Sequence, residues 1–362
     1  MEIQQPYKVL SLFSGIGGMD MGFDGNVIVH KDSVGNQLIK QEENGDFARL
    51  RRLNFEVVFQ NDILEGAKEV FFLNNPDKNP DKYNTKSIFD LLNENYEFPS
   101  IDVVIGGFPC QDFSHCGKRQ GFTSNKTHDL KTKIDQDKSN SRGTLYKSFV
   151  EVVKITKPKV FVAENVHGLL TMKGNPIDII IDDFKKLGYN VKYQDVYCPE
   201  YGIPQTRRRV IIIGVIKEQS NDNWNELTKN KGVTCHIGKY FEHLQEPHET
   251  RDISQMVYSK AKKLQTGQGQ TEIKLNSFAP TMRAEHHGNI EFRRHSNSKI
   301  NASESHLPER RLTVREAGLI QTFPPDYIFS NKKTQTAYKY IGNAVPPLLG
   351  YLIADKVQEL LL

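Results

Sequence analysis

The feature that most constrains the fold is an alternation, between Lys8 and Val215, of short continuous apolar runs with helical stretches. The runs at 9–13, 26–29, 57–60, 103–105, 160–163, 191–196 and 210–215 are apolar throughout rather than at every second position, as strands covered on both faces are. Between them, 35–43, 87–93, 145–156 and 177–187 read as helices. Strands alternating with helices predict an α/β fold built on an open, mostly parallel sheet, with ligands held beyond the carboxyl ends of its strands. Residues 217–335 are polar and turn-rich, and the apolar helical tail is expected to pack back onto the first unit. The expected division is therefore 1–216 completed by 336–362, with a second, smaller, irregular or β-rich domain at 217–335. A further stretch, 123–140, has almost no apolar content and reads as a surface insertion.

At 362 residues the chain exceeds a single small module. No run approaches the ~20 apolar residues that span a bilayer, and the first residues lack the plan of a secretory signal. Cys110, Cys116, Cys198 and Cys235 are too scattered for a disulfide framework and form no CxxC pair, so no metal is expected and a cytoplasmic location fits best. The net charge of +4 permits nucleic-acid binding without requiring it. Between residues 251 and 311, however, 11 Lys and Arg stand against 6 Asp and Glu, so positive charge is concentrated there.

Four motifs stand at strand ends. LSLFSGIGGM, from Leu10 to Met19, runs a strand into Gly15, Gly17 and Gly18 and then towards a helix. Glycines there let the backbone turn tightly and approach a nucleotide-like ligand, although a packing turn would read the same way. Asp20 stands where a dinucleotide fingerprint has its third glycine. GGFPCQDFS, from Gly106 to Ser114, holds Cys110 in a rigid turn where a depressed thiol pKa would make it a nucleophile; a small buried hydrophobe is the alternative. VFVAENV, from Val160 to Val166, places Glu164 on the same edge, either to hold a proton against a heteroaromatic ring or to cap a helix. YGIPQTRRRV, from Tyr201 to Val210, puts Gln205, Arg207 and Arg209 on one strand face and Thr206 and Arg208 on the other. Guanidinium forks at Arg207 and Arg209 suit phosphate or a ring carbonyl, and Arg208 fits an exposed edge.

In this order, and followed by RRLTVREAGLIQTFP (Arg310 to Pro324) and GNAVPP (Gly342 to Pro347), the motifs resemble the DNA (cytosine-5) methyltransferase family. The resemblance runs from Leu10 to Pro347 and is closest to the short bacterial enzymes of restriction–modification systems. It implies S-adenosylmethionine (product S-adenosylhomocysteine) held by Phe13, Ser14, Gly15, Ile16, Gly17 and Gly18. Asp62 and Ile63 would hold the adenine, and Gly107, Leu145 and Asn343 the methionine end. The family places an acid after its second strand for the ribose hydroxyls; here Asp32 is the nearest acid, offset from that place.

For the chemistry, the resemblance implies a Cys110 thiolate adding to cytosine C6, with Glu164 at N3 and Asn165 supporting it. Arg209 would bind the ring carbonyl and orient Glu164, and Arg207 would position substrate and loop. The base would be flipped out of double-stranded DNA, with Gln111 and Ser114 in the segment closing over it. The basic segment 251–311, within the 217–335 unit, takes the place of the target recognition domain, where Gln268, Thr281, Arg283, His286, His287, Arg293 and Arg294 are suited to DNA. A cognate restriction endonuclease is an expected partner in the cell, and a monomer the expected state. Two other readings stand beside this one: a tRNA cytosine-5 methyltransferase of the same fold, disfavoured by the missing Cys-Phe-Thr signature, and a catalytically silent DNA-binding relative.

Overall fold

The computed structural model describes residues 5–25, 27–36, 38–109, 145–172, 174–219, 225–230, 233, 235–261, 269–284, 290–296, 299–304, 306–329 and 333–362. In chain order the first elements are β1 (Tyr7–Leu12), α1 (Asp20–Asp24), β2 (Ile28–His30), β3 (Lys40–Asn44), β4 (Phe47–Leu50), β5 (Phe55–Asn61), α2 (Glu65–Asn74), β6 (Tyr83–Asn84), α3 (Ile88–Asn93) and β7 (Val103–Gly106). There follow α4 (Leu145–Thr156), β8 (Val160–Val166), α5 (Pro176–Lys186), β9 (Tyr189–Tyr197), β10 (Arg208–Ile216), α6 (Ile237–Phe241) and α7 (Ile253–Met256). The chain continues through β11 (Phe292–Arg294), β12 (Arg310–Arg311), α8 (Val314–Ile320), α9 (Thr334–Asn343) and α10 (Pro347–Leu361).

The apolar runs assemble into one seven-stranded sheet in the order β6-β5-β1-β7-β8-β10-β9. All neighbouring pairs are parallel except those of β10, which runs antiparallel to both β8 and β9. Alternate residues of each strand feed opposite faces. Val9, Val57, Val103, Val160 and Ile211 join one apolar cluster, which also takes in α10. Leu10, Val104, Phe161 and Ile212 join the other, under α4 and α5. Phe149 of α4 is fully buried there, and truncating it to alanine would cost about 3–5 kcal/mol.

Strand order reverses at β1, whose successor in the sheet on one side is β5 and on the other β7. Register aligns Leu12, Gly106 and Ala163 across β1, β7 and β8, so Phe13, Gly107 and Glu164 emerge together at the carboxyl edge. Because β10 is reversed, its beginning reaches that edge too, with Arg209 opposite Val166.

Two expectations fail between β1 and β5. The run at 26–29 contributes β2, yet β2 belongs to a separate antiparallel sheet of order β2-β4-β3. The expected helix at 35–43 is absent as well; Lys40–Asn44 is strand β3, paired antiparallel with β4 across a tight turn at Gly45, φ +61°. Asn44-Gly45 is a strong hairpin signal, and it outweighs the helical tolerance of Lys40, Gln41 and Glu42.

The tail does return to the first unit. A Cβ at Gly22 would lie 2.1 Å from the backbone of Gly350, and one at Gly18 would lie 2.2 Å from the Val345 carbonyl, so α1 and the start of α10 meet backbone to backbone. In the 225–329 region much of the interior is charged. Arg294 and Arg310 share the Glu246 carboxylate, Arg310 also pairs with Glu316, and Arg293 pairs with Glu304 and Glu316. Glu316 is also the N3 residue of a capping box with Thr313 at the start of α8.

Candidate active site

Beyond β1 the chain turns through Phe13 (φ +56°), Gly15 (φ +54°) and Gly17 (φ +80°). The left-handed backbone explains glycine at the last two positions. A side chain at Gly17 would also sit 2.8 Å from the Phe71 ring. The turn is tied on every side. Ser14 N–H donates to the Asn61 carbonyl (3.0 Å), Gly15 N–H to Asp62 Oδ2 (2.9 Å), and the Tyr83 hydroxyl to the Gly15 carbonyl (2.7 Å). Asp62 Oδ1 accepts from Leu64 N–H at 2.9 Å. Burial holds the Asp62 carboxyl above its ordinary pKa, opposed by those two N–H donors. Ile63 beside it is exposed.

Glu164 and Arg209 form the centre of the edge. Arg209 Nε lies 2.7 Å from Glu164 Oε1, and both side chains are nearly buried. The other carboxylate oxygen faces Gly107, where an added Cβ would stand 2.9 Å from Oε2; a larger residue would push the carboxylate aside. Asn165 is 1% exposed, its Oδ1 accepts from Val166 N–H, and its Nδ2 makes no hydrogen bond, an orphaned buried donor at the same edge.

Arg207 does something different from Arg209. It is fully buried, with Nη1 donating to the carbonyls of Met282 (3.0 Å) and Gly342 (3.3 Å), and Nη2 to those of Gly342 and Ala344 (3.0 Å). Burial first, and Arg209 second, lower its pKa to about 9. Its neighbour Gln205 donates to the Ile320 carbonyl and accepts from Met282 N–H, while Gln321 donates to the carbonyls of Ile341 and Ala344. Together they lock the entry to β10 against residues 279–284 and against the end of α9. Arg208, between them, points outward to Asp195 at 2.8 Å.

The structure thus brings together the glycine turn, Asp62, Gly107, Glu164, Asn165 and Arg209. Leu145 opens α4 with its side chain in the core, and Asn343 is the exposed last residue of α9. Cys110, Gln111, Ser114, Gln268, His286 and His287 lie outside the described residues, as does the 123–140 stretch. Thr281 donates to the Thr206 carbonyl, and Arg283 lies 3.5 Å from Glu291.

Three residues need correction. Asp32 follows β2, which is not part of the central sheet; it sits beside His30, and its electrostatic neighbours include Cys235 and Lys239. The second strand on that side of β1 is β5, and the acid that follows it is Asp62. Arg293 and Arg294 suit DNA by residue type, yet their side chains are only 7% and 3% exposed and are held by Glu246, Glu304 and Glu316. A guanidinium buried against carboxylates is not available to a phosphate.

Sequence reasoning missed Asp20, Asn61 and Gln60, which sit beneath the glycine turn, and Gln321, which partners Gln205. Gln321 was in view within the Arg310–Pro324 motif, but its partners are distant in the chain.

Among the described residues no cluster of His, Cys, Asp and Glu could hold a metal, and no helix is long and apolar enough to cross a membrane. The family model of C-5 cytosine-specific DNA methylases matches residues 7–359. The chain is 30% identical to the Type II methyltransferase M.BsuRI of Bacillus subtilis, over 97% of this chain and 79% of that protein. It is 31% identical to the Type II methyltransferase M.BspRI of Lysinibacillus sphaericus, over 98% and 82%. Two solved structures share the fold. A putative DNA modification methyltransferase encoded within an E. coli prophage aligns at TM-score 0.62 and 18% identity, covering 98% of this chain and 99% of that one. A mutant of Spodoptera frugiperda DNMT2 aligns at TM-score 0.62 and 16% identity, covering 97% and 99%.

Proposed function

The chain belongs to the C-5 cytosine-specific DNA methylase family and is a DNA cytosine-5 methyltransferase, and from that premise we propose that it methylates a cytosine flipped out of double-stranded DNA through a covalent adduct of Cys110 with C6. The observation that carries the reading is the Glu164–Arg209 pair, 2.7 Å apart at the edge where the Gly106–Gly107 turn leads towards Cys110. The two thiols among the described residues are poor candidates. Burial pushes Cys198 up to about 11 and Cys235 up to about 12, so neither is a thiolate near neutral pH.

Cytosine C5 is a weak nucleophile until a thiolate adds to C6, which gives the ring enamine character. Glu164 delivers or shares a proton at N3 as that charge builds, and Arg209 fixes the carboxylate and reaches the ring carbonyl. Asn165, with its unspent Nδ2, supports the same edge. Once C5 has gained a methyl group, loss of its proton and elimination of the thiolate restore the aromatic ring and Cys110. Arg207 acts by position, holding the segment at 279–284 and the α9 terminus against the edge.

The residues fit S-adenosylmethionine, which when bound supplies an electrophilic methyl group. Side chains at Gly17 and Gly107 would press on the Phe71 ring and on the Glu164 carboxylate, so glycine at both positions keeps the turn and the edge beside it in place. Phe13 to Gly18, Gly107, Leu145 and Asn343 would line the cofactor site. Asp62 would take the ribose hydroxyls in place of Asp32, because it directly follows β5, the strand beside β1. Residues 1–216 with 336–362 would form the catalytic unit, and 217–335 would read the DNA, with Gln268, Thr281 and Arg283 towards it. The names of the relatives support a restriction–modification setting, with a nuclease acting on the same site as partner.

The test is bisulfite sequencing of a plasmid from cells expressing this chain, beside Cys110→Ala. Cytosines protected at one short recurring sequence, and lost in the variant, are expected. Unprotected DNA from a folded protein would sink the DNA reading and turn attention to RNA.

A further inference from the structure

Beneath the glycine turn lies a buried polar chain that the proposed chemistry leaves unused. Asp20, the first residue of α1, is 1% exposed. Its Oδ1 accepts from Ser11 Oγ and its Oδ2 from Gln60 Nε2, both at 2.6 Å. Ser11 Oγ in turn accepts from Ser14 Oγ at 2.9 Å. Ser14 Oγ accepts from Asn61 N–H at 3.3 Å, and the Asn61 side chain donates to the carbonyls of Asn84 and Lys86. One chain of hydrogen bonds therefore joins the tips of β1, β5 and β6 and ends at the residue before Asp62.

Direction matters in this chain. With Asp20 ionised, both its oxygens accept, so Ser11 must give it a proton and is left to accept from Ser14. Every donor then points down towards Asp20, and Ser14 is drawn under the turn formed by Phe13 and Gly15, both at positive φ. A proton on Asp20 has to be donated, and the Ser11 oxygen is already engaged. The Ser11 link to Asp20 is then lost or turned round and Ser14 is left to donate to the Ser11 carbonyl at 3.1 Å, which loosens the turn, while Asn61 N–H goes on donating to Ser14.

We propose that Asp20 is a positioning residue whose ionised form, acting through Ser11 and Ser14, holds the glycine turn in the shape that binds the adenosyl cofactor. The proposal rests on the reading of that turn as the S-adenosylmethionine site. It makes cofactor affinity depend on a proton that never touches the cofactor.

The groups facing Asp20 are few. Ser11 approaches from β1 and Gln60 from β5; Asp24 lies on its own helix, and Lys78, after α2, is paired with Asp24. The buried phenols of Tyr83 and Tyr327 complete the surroundings; Tyr327 donates to the Ile16 carbonyl of the same turn. Burial dominates and raises the Asp20 carboxyl to about 6, against the lowering effect of Ser11 and Gln60. One unit below such a value only about a tenth of the molecules carry the ionised form, so apparent affinity falls about tenfold.

Calorimetric titration of the whole chain with S-adenosylhomocysteine, from pH 8 to pH 5, tests this for the parent protein, Asp20→Asn and Ser11→Ala. The parent is expected to lose about tenfold in affinity towards pH 5. Asp20→Asn carries at every pH a neutral group that must donate, as the protonated acid does, so it is expected to bind at pH 8 about as weakly as the parent does at pH 5, with that slope gone. A variant that keeps the full slope would overturn the proposal and assign the titration elsewhere, Asp62 first. Should Asp20→Asn fail to fold, Ser11→Ala decides: weaker binding with a flat profile supports the relay, and parental affinity and slope refute it. A parent protein that binds no S-adenosylhomocysteine at any pH would instead defeat the cofactor reading itself.

Discussion

Arginines mark both halves of this molecule, and they do opposite things. At the sheet edge, Arg209 meets a single carboxylate at an opening, and Arg207 spends its donors on carbonyls. In the 246–316 region, Arg293, Arg294 and Arg310 are buried among Glu246, Glu304 and Glu316 and serve as core. A count of basic residues therefore says little about where charge is presented. We propose chemistry for the one ion pair, whereas the other set takes the place of apolar packing. Removing a partner should cost activity in the first region and stability in the second.

Glu164→Gln is the largest test. Methyl transfer to DNA, followed with radiolabelled cofactor, should fall by about 10²–10⁴-fold in a variant that stays folded. Retained turnover would break the assignment. Glu316→Gln should behave in the opposite sense. Its carboxylate accepts from both Arg310 Nη groups and from Thr313 N–H while 1% exposed. The loss should approach 3–5 kcal/mol in urea unfolding, since a buried guanidinium is left poorly paired.

Gly107→Ala is a milder probe of the edge. The methyl group would press on Glu164 Oε2, and kcat should fall about tenfold with little change in thermal midpoint. An unchanged kcat would show that the carboxylate has room to move.

The smallest effect separates the regions by pH. Glu246 has a folded pKa lowered to about 2 from 4.5; burial alone would raise it, but hydrogen bonds and charge from Arg310 and Arg294 prevail. Its contribution is present above the unfolded value and is lost as pH falls through the lowered one. Asp20 is shifted the other way, to about 6, so its contribution is full below 3.8 and lost as pH rises through 6. The melting temperature of Asp20→Asn relative to the parent should accordingly rise between pH 4 and pH 7. A difference that stays constant would remove Asp20 from the comparison.

The sheet edge was legible because its residues are contiguous in sequence. A strand followed at once by GIGG, PCQ or ENV announces both the strand end and what stands on it, and the bounds of α4 match the expected 145–156. Period-two alternation likewise separates exposed Arg208 from buried Arg207. What could not be read depends on partners remote in the chain. The Glu246 that neutralises Arg294 lies 48 residues away, and nothing local tells a guanidinium bound for a carboxylate from one bound for a phosphate. Asp32 misled for a related reason. An inserted three-stranded sheet, β2-β4-β3, separates β1 in sequence from its neighbour β5, so counting strands along the sequence stops at β2 and Asp32 rather than at β5 and Asp62.

The backbone contacts of Gly18 with Val345 and of Gly22 with Gly350 have a temporal meaning. The turn at the start of the chain gains its backing only after residues 345–350 have been synthesised, and a contact spanning so much sequence is among the slowest to form. Nascent chains should thus complete the sheet from β1 to β10 well before the glycine turn is braced, so that the part translated first is expected to settle last.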